Sequence, residues 1–349
     1  DLPESLIAQL PAAARDASRL MVINRTDQSV THTHFHELCH HVPAKTRFFR
    51  NSAAVFKARL RGQRASGGAV ECLLLHPDRD SDTFWCLLKP GKKLPIGTSF
   101  SGPGYEAAII SIKGTGERLV QFKIDDGGHV IDLAERVGEM PLPPYIERSR
   151  EADPALRKLD EDRYQTVYAD REHKVAAAAP TAGLHFTPEL INEMEGRGAD
   201  FHDIRLHVGL DTFQPVKSET IEGHTIHREL YEIPPATQQA LHTREGGLRL
   251  CVGTTSVRAC EDYLRRQKQA SGSTHVAEAS LYLYPPAEFL AAEAMITNFH
   301  LPRSTLLCLV AAFLTPGDEA GISWLKEIYA EAVGRGYRFY SYGDAMLIL

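Results

Sequence analysis

The chain has 349 residues, of which 43% are hydrophobic and 24% are charged. This ordinary globular composition excludes extended disorder, and the length favours two domains over a single core. The formal net charge of −6 argues against a protein that binds nucleic acid over its whole surface.

The apolar runs and the cysteines predict where the protein works. No apolar run approaches the roughly twenty residues that a membrane-spanning helix needs, and residues 1–11 do not resemble a secretory signal. The six cysteines show no C-x-x-C spacing, so a disulfide scaffold is not expected. We therefore expect a cytoplasmic protein with no membrane contact.

The segment HTHFHELCHH at residues 32–41 is rich in ligand-type side chains and suggests a zinc site. His32, His34 and His36 alternate, however, as they would on one face of a strand. No second ligand cluster has zinc spacing, so we expect no metal.

A basic stretch follows at residues 45–64, which contain seven Lys and Arg residues and no acidic residue. Lys92 and Lys93 add to it in the segment KPGKK. This pattern predicts a surface that faces an anion. A solvated basic face is an equally good interpretation.

Residues 66–138 have the texture of an antiparallel β-domain, with short apolar runs separated by Gly, Pro and Asp. Two hairpins are readable, VECLLLH with FWCLLKP and YEAAIISI with RLVQFKI. Strands this close in sequence pair locally, so we predict a small barrel inserted into a larger domain. PLPPYI at residues 141–146 is the predicted exit linker.

From residue 164 onward, strands alternate with helices in an α/β pattern. Three strand–loop–helix units place Thr, Gly, Asn and His in their loops, and a fourth segment, LHVGLDTF, adds similar residues. The loop residues are Thr181, Gly183 and His185; Gly253, Thr254, Thr255 and Ser256; Asn298 and His300; and His207, Gly209 and Thr212. Such loops meet at the carboxyl ends of the strands, where they suit a polar ligand, although helix capping explains the Ser and Thr residues equally well.

Two further histidines, His224 and His227, stand with Glu229 in an H-x-x-H-x-E group that suits acid–base chemistry or substrate contact better than a metal.

Motifs of other enzyme classes are missing. The sequence has no G-x-G-x-x-G or Walker segment after a strand, no cysteine triad for an iron–sulfur cluster and no G-x-S-x-G elbow. No cofactor is therefore indicated by a motif.

Several motifs, taken together, closely resemble one family from end to end. They are RDASRL, KPGKKL, PLPPYI, YQTVYA, APTAGLHFT, LHVGLDTF, VGTTSVR, TNFHLPRSTLL and YGDAMLI, at residues 15–20, 89–94, 141–146, 164–169, 179–187, 206–213, 252–258, 297–307 and 342–348. In this order they resemble the S-adenosylmethionine:tRNA ribosyltransferase-isomerases of queuosine synthesis.

The resemblance implies a fold and a reaction. The fold is an α/β main domain, an irregular mixed barrel built from residues 1–64 and 147–349, with a small antiparallel β-barrel inserted at residues 65–146. The reaction moves the ribosyl group of S-adenosylmethionine, the co-substrate, onto 7-aminomethyl-7-deazaguanine at the wobble position of a tRNA with a GUN anticodon. Epoxyqueuosine, adenine and methionine are the products, and a monomer or weak homo-oligomer is expected.

The resemblance also gives the candidate residues roles. For proton transfer they are His185, His207, His224, His227 and His300. For binding S-adenosylmethionine and the base they are Thr181, Gly183, Phe186, Gly209, Thr212, Gly253, Thr254, Thr255, Ser256, Arg258, Asn298 and Tyr342. For tRNA they are Arg47, Arg50, Lys57, Arg59, Arg61, Lys92 and Lys93. For Phe186 and Tyr342, core packing competes with base stacking.

Three departures from the family pattern leave alternatives open. Ser52, Ala53 and Ala54 replace the D-T-R of an N-D-T-R-V run, which we expect in a loop by the active site, while Asp211 and Pro286 replace glycines. These changes are compatible with a tRNA-binding paralogue that has lost catalysis. Transfer from S-adenosylmethionine to a small-molecule acceptor is a further alternative.

Overall fold

The structure is a computed structural model that describes residues 2–78, 80, 82–91, 94–114, 116–148, 153–207, 229–243, 245–302 and 304–349, and for residues 173–175 the backbone alone. The strands are β1 Arg19–Ile23, β2 Val30–His34, β3 Arg47–Asn51, β4 Ala53–Val55, β5 Arg59–Gln63, β6 Ala69–Pro77, β7 Thr83–Lys89, β8 Ser99–Gly102, β9 Tyr105–Ile112, β10 Arg118–Ile124, β11 Asp170–Ala176, β12 Asp200–Leu206, β13 Glu229–Ile233, β14 Arg249–Val252, β15 His275–Ala279, β16 Ala294–Asn298 and β17 Ala345–Ile348. The helices are α1 Leu38–His41, α2 Val130–Val137, α3 Pro154–Arg163, α4 Pro188–Gly196, α5 Pro235–His242, α6 Thr254–Arg266, α7 Thr305–Leu314 and α8 Gly321–Gly334.

The larger part of the molecule is built on a mixed sheet, which has nine strands within the described residues, in the order β15-β13-β12-β3-β14-β16-β17-β1-β2. The four strands β12, β3, β14 and β16 are parallel neighbours. Their apolar residues are buried on both faces, as is usual for parallel strands. The carboxyl ends of these four strands therefore lie at one edge of the sheet.

Strands from the two chain ends complete this sheet. β17 is antiparallel to β16, and β1 is parallel to β17. The amino ends of β17 and β1 consequently lie at the same edge as the carboxyl end of β16. There Asp344, only 1% exposed, accepts hydrogen bonds from the guanidinium and backbone N–H of both Arg19 and Arg338. This ion cluster ties the RDASRL and YGDAMLI segments together.

The smaller part is a closed antiparallel barrel, with the strand order β10-β7-β6-β5-β8-β9. Both hairpins predicted from the sequence, β6 with β7 and β9 with β10, are confirmed. Along β9 the side chains alternate, so that Tyr105, Ala107 and Ile109 fill the barrel. Helix α2 packs against this core through Leu133 and Ala134.

The predicted class, an α/β protein with an antiparallel barrel inserted in it, is confirmed. The barrel strands run from Arg59 to Ile124, so the barrel starts before the predicted domain boundary at residue 65; the exact division into domains stays a prediction. In the described part of the chain, no helix is both long and apolar enough to cross a membrane.

Candidate active site

The carboxyl ends of β14 and β16 meet the turn Thr181–His185. β14 leads into Gly253, whose φ of 91° favours glycine. A Cβ atom on Gly253 would lie 3.7 Å from Ala182 of the turn. Asn298, the last residue of β16, contacts His185. The three loops that the sequence predicted to converge thus do so.

Helix α6 begins at this meeting point without a capping side chain. Its N-cap is Gly253, so the N–H groups of the first turn, at Thr254, Thr255 and Ser256, face outward from the helix end. The partial positive charge there suits a carboxylate or phosphate. The Ser256 side chain is fully buried, and its Oγ has no hydrogen-bond partner among the described residues.

Three loops carry Ser and Thr residues before a helix, those that precede α4, α6 and α7. Helix capping explains the hydroxyl residue in only one of them. Thr187 caps α4, because its Oγ accepts from the Leu190 N–H at 3.1 Å. Ser304 is the N-cap of α7 but makes no capping side-chain bond. The hydroxyl residues at the start of α6 and α7 therefore remain available as ligand-binding groups.

His185 is held by hydrogen bonds on both ring nitrogens. Its Nδ1 lies 2.8 Å from the Ser18 Oγ, and its Nε2 lies 3.1 Å from the Asn298 Nδ2. The same amide nitrogen donates to the Tyr340 carbonyl at 3.2 Å, so His185 Nε2 must be the acceptor and Nδ1 carries the proton. Burial lowers the pKa of His185 to about 4. At neutral pH it is an uncharged group that positions Asn298.

Glycine is required at position 183 because the backbone of this turn approaches the Tyr168 side chain closely. A Cβ atom there would lie 2.0 Å from the Tyr168 hydroxyl oxygen. The Tyr168 ring stacks against the Arg50 guanidinium at 4.1 Å, and Phe201 lies on that guanidinium too, at 4.6 Å. Arg50 also donates to Asp203 at 2.7 Å. Tyr168 thus anchors the turn to β3 and β12.

The two other described histidines of the predicted proton-transfer set follow strand ends at the same edge. His300 lies just beyond β16 with its Nε2 2.7 Å from the Thr297 Oγ1, and burial lowers its pKa to about 4. His207 follows β12 and pairs with Glu232, Nε2 to Oε1, at 2.8 Å. A carboxylate that holds one ring nitrogen orients the imidazole for proton transfer, so His207 has the environment of a general base.

Three of the predicted substrate residues are engaged within the protein. Arg258 is 9% exposed, forms an ion pair with Glu229 at 3.2 Å and donates to backbone carbonyls of β15 and residue 281. The Tyr342 hydroxyl donates to Asp160 at 3.0 Å. Phe186 packs among core aromatic rings. These contacts favour structural roles, because buried Arg needs such partners and neither ring is accessible for stacking.

The basic stretch is largely neutralised by other segments. Arg47, 7% exposed, donates to the carbonyls of residues 240, 243 and 247, and Arg50 lies in the stack described above. Three further members pair with acids: Lys57 with Glu161, Arg59 with Glu71, and Arg61 with Glu71 and Glu139. Arg47 and Arg50 are thus inside the larger part, which argues against the tRNA contacts predicted for them.

The run Ser52-Ala53-Ala54 is not in a loop, which corrects the sequence-based expectation. Ser52 is 3% exposed, and the two alanines, which belong to β4, are fully buried. Strand β4 pairs with β11.

Pro286, another departure from the family pattern, follows a cis peptide bond. Gly209, Asp211, Thr212, His224, His227, Lys92 and Lys93 lie outside the described residues.

Sequence reasoning missed several residues of this edge. Ser18, Tyr168 and Asp344 each lie in a segment that carried the family resemblance, RDASRL, YQTVYA or YGDAMLI, yet none received a role. Hydroxyl or acidic residues within such segments were the available signal.

One group of potential metal ligands is present in the described part of the chain, at Cys39, His40 and Glu193. The Cys39 thiol donates to the Glu193 carboxylate at 2.8 Å. Burial, followed by this carboxylate, raises the pKa of the Cys39 thiol. A protonated thiol in a hydrogen bond explains the contact without a metal.

Fold and site together define an α/β enzyme with an inserted β-barrel and a polar site at the sheet edge. Residues 1–348 match the family described as queuosine biosynthesis protein. The chain belongs to this family.

Similar proteins cover essentially the whole chain. It is 43% identical over 353 residues to an S-adenosylmethionine:tRNA ribosyltransferase-isomerase of Thermotoga maritima, covering 100% of this chain and 98% of that protein. A protein of the same name from Moorella thermoacetica is 42% identical over 355 residues, with the same coverage of 100% and 98%. The crystal structure of the S-adenosylmethionine tRNA ribosyltransferase from Thermotoga maritima is similar, with a TM-score of 0.54 and 34% identity over 100% of this chain and 98% of that one.

The first prediction concerns the turn. Gly183→Ala should lower the free energy of unfolding by about 1–3 kcal/mol, because the new methyl group must displace Tyr168. Gly196→Ala is the matched control, since a Cβ there meets nothing within 4 Å, and it should be neutral or slightly stabilising. Urea denaturation measures both. A neutral Gly183→Ala variant would contradict the close approach.

The second prediction concerns pH. Burial depresses the folded-state pKa of His185 to about 4 from 6.5, so the unfolded chain binds more protons between these values and stability falls as the pH falls through that window. This one group should cost about 2 kcal/mol between pH 7 and pH 5. His185→Gln should remove that share of the slope, measured by urea denaturation at both pH values, whereas His76→Gln, at an exposed site, should not. Equal slopes in wild type and His185→Gln would refute the assignment.

Proposed function

We propose that this protein transfers and isomerises the ribosyl group of S-adenosylmethionine onto 7-aminomethyl-7-deazaguanine at the wobble position of tRNA. The products would be epoxyqueuosine-tRNA, adenine and methionine. Family membership and the names of the relatives support this proposal. The observation that carries it is the convergence of the Thr181–His185 turn, the start of α6 and Asn298 at one edge. We further propose a cytoplasmic monomer or weak homo-oligomer that needs no metal.

The start of α6 is suited to the anionic part of the donor. Its first-turn N–H groups can bind the carboxylate of the methionine portion, and the side chains of Thr254 and Thr255 lie beside them. Thr181, at the start of the facing turn, can bind the ribose hydroxyls. These contacts would hold the sulfonium carbon near the strand ends, where a base can approach it.

The reaction requires a base that removes a proton from the carbon next to the sulfonium, and a neutral amine as the attacking group. His185 and His300 suit this poorly, because a pKa of about 4 lies far from neutrality and makes each a weak base. His207, paired with Glu232, is the best described candidate. His224 and His227 stay predictions.

The groove between the barrel and α3 is a candidate for tRNA contact. It encloses about 310 Å³ and is lined by Lys57, Arg59, Arg136, Arg148 and Arg157 together with three acids. The excess of cations suits the phosphate backbone near the anticodon. The choice of tRNAs with a GUN anticodon is part of the proposal, as are contacts from Arg61, Lys92 and Lys93.

The third prediction tests the reaction itself. Purified protein with S-adenosylmethionine and tRNA carrying the aminomethyl precursor should release adenine, followed by chromatography, and form epoxyqueuosine, followed by mass spectrometry of the nucleosides. tRNA with unmodified guanine is the control. Binding of tRNA without adenine release would favour a paralogue that has lost catalysis. Adenine release that does not require tRNA would favour a small-molecule acceptor.

The fourth prediction tests the base. His207→Ala should lower kcat by about a hundredfold or more, because general base catalysis contributes at least that much, while the Kd for S-adenosylmethionine changes little. Glu232→Gln should lower kcat less, since the imidazole remains but is oriented more weakly. His76→Ala serves as an exposed control. A drop of less than about tenfold for His207→Ala would exclude it as the base.

A further inference from the structure

Two polar atoms beside the α6 start lack hydrogen-bond partners among the described residues, although both are buried. They are the Asn298 Oδ1 and the Ser256 Oγ, in side chains of residues that are 2% and 0% exposed. An acceptor shielded from water without a donor costs free energy. A ligand that brings a donor to Asn298 would recover it.

The direction of the Asn298 oxygen is fixed by the other half of its amide. Nδ2 donates one hydrogen to the His185 Nε2 and the other to the Tyr340 carbonyl. A flipped amide would place Oδ1 against that carbonyl oxygen, which cannot donate. His185 is oriented in turn by Ser18, whose hydroxyl accepts from Nδ1 and donates to the Arg15 carbonyl. These hydrogen bonds fix the orientation of the amide. The atom without a partner is therefore the oxygen, which can only accept a hydrogen bond.

The strand register places this acceptor next to the anion site. Val252 of β14 is opposite Ile296 of β16 in a parallel pair, and the Gly253 N–H donates to the Ile296 carbonyl at 2.8 Å, so Asn298, two residues further along β16, lies beside the point where β14 leads into α6. Neighbouring strands lie about 4.8 Å apart. A hydrogen-bond acceptor and a cluster of N–H donors on neighbouring elements match a ligand that carries a cation and an anion on the same carbon.

We propose that the α-amino-acid end of S-adenosylmethionine binds here as a zwitterion. Its carboxylate lies on the N–H groups at the start of α6, and its ammonium donates to the Asn298 Oδ1. Ser18 and His185 are positioning residues that hold the oxygen in place. The inference rests on the proposed function for the identity of the donor, and it adds which end of that molecule this corner binds.

Binding of two ligands tests the proposal. Isothermal titration calorimetry at pH 7.5 should show that wild-type protein binds S-adenosylhomocysteine about ten- to hundredfold more tightly than its deaminated analogue, which keeps the carboxylate, because a hydrogen bond to a charged group is lost. Asn298→Ala should weaken binding of S-adenosylhomocysteine by a similar factor and leave the analogue unchanged. The ratio of the two affinities should then be near one.

Variants of the positioning residue separate orientation from general damage. Ser18→Ala should reduce the ratio, and Ser18→Thr, which keeps the hydroxyl, should restore part of it. Ser323→Ala, an exposed hydroxyl on α8, should leave the ratio at its wild-type value. A misfolded variant would lose both affinities together, which the ratio distinguishes from a lost ammonium contact.

Two outcomes would overturn the inference. If Asn298→Ala weakens both ligands by one factor, the oxygen does not bind the ammonium, and adenine release by the wild type would show that the proposed function survives. If the wild type binds neither ligand and releases no adenine, both the inference and the proposed function fail.

Discussion

The site depends on one constraint, the common direction of β12, β3, β14 and β16. Parallel strands must bring their carboxyl ends to one edge, so Leu206, Val252 and Asn298, the last residues of β12, β14 and β16, lie at that edge although they are far apart in the chain. Because β17 and β1 run the opposite way, their amino ends reach the same edge. Ser18 and Asp344 therefore belong to the site as much as the loops do.

Several polar groups at this edge contrast with the buried acids of the core. Buried acids elsewhere have full sets of donors: Glu261, for example, accepts from the backbone N–H groups of residues 290–292. At the edge, Asn298, Ser256 and Tyr168 each have a buried polar atom without a partner among the described residues. Each such atom costs about 1–3 kcal/mol. Unpartnered buried atoms also occur elsewhere in the described residues, for example at Tyr164 and His202, but the Asn298 and Ser256 atoms lie together beside the start of α6, where a ligand can supply their partners.

The sequence predicted what is local. The hairpins, the strand–loop–helix units and the convergence of their loops follow from periodicity and from the handedness of α/β connections, which operate over short stretches. The partners of charged residues could not be predicted in this way. Arg258 of α6 meets Glu229 of β13, and Arg19 meets Asp344 from the other chain end. Composition alone does not distinguish an arginine that binds a ligand from one that is paired inside the protein.

The departure at Ser52-Ala53-Ala54 lies beside the sheet and leaves a link between two strand ends in place. Where the family pattern carries an acid and an arginine, this chain has neither, and the positions are buried in and beside β4. Asn51, the member of the run that is retained, still accepts from the N–H groups of residues 53 and 206, so it links the end of β3 to the end of β12. The exchange therefore changes the packing beside the sheet. The connection through Asn51, which holds the carboxyl ends of β3 and β12 together, is preserved.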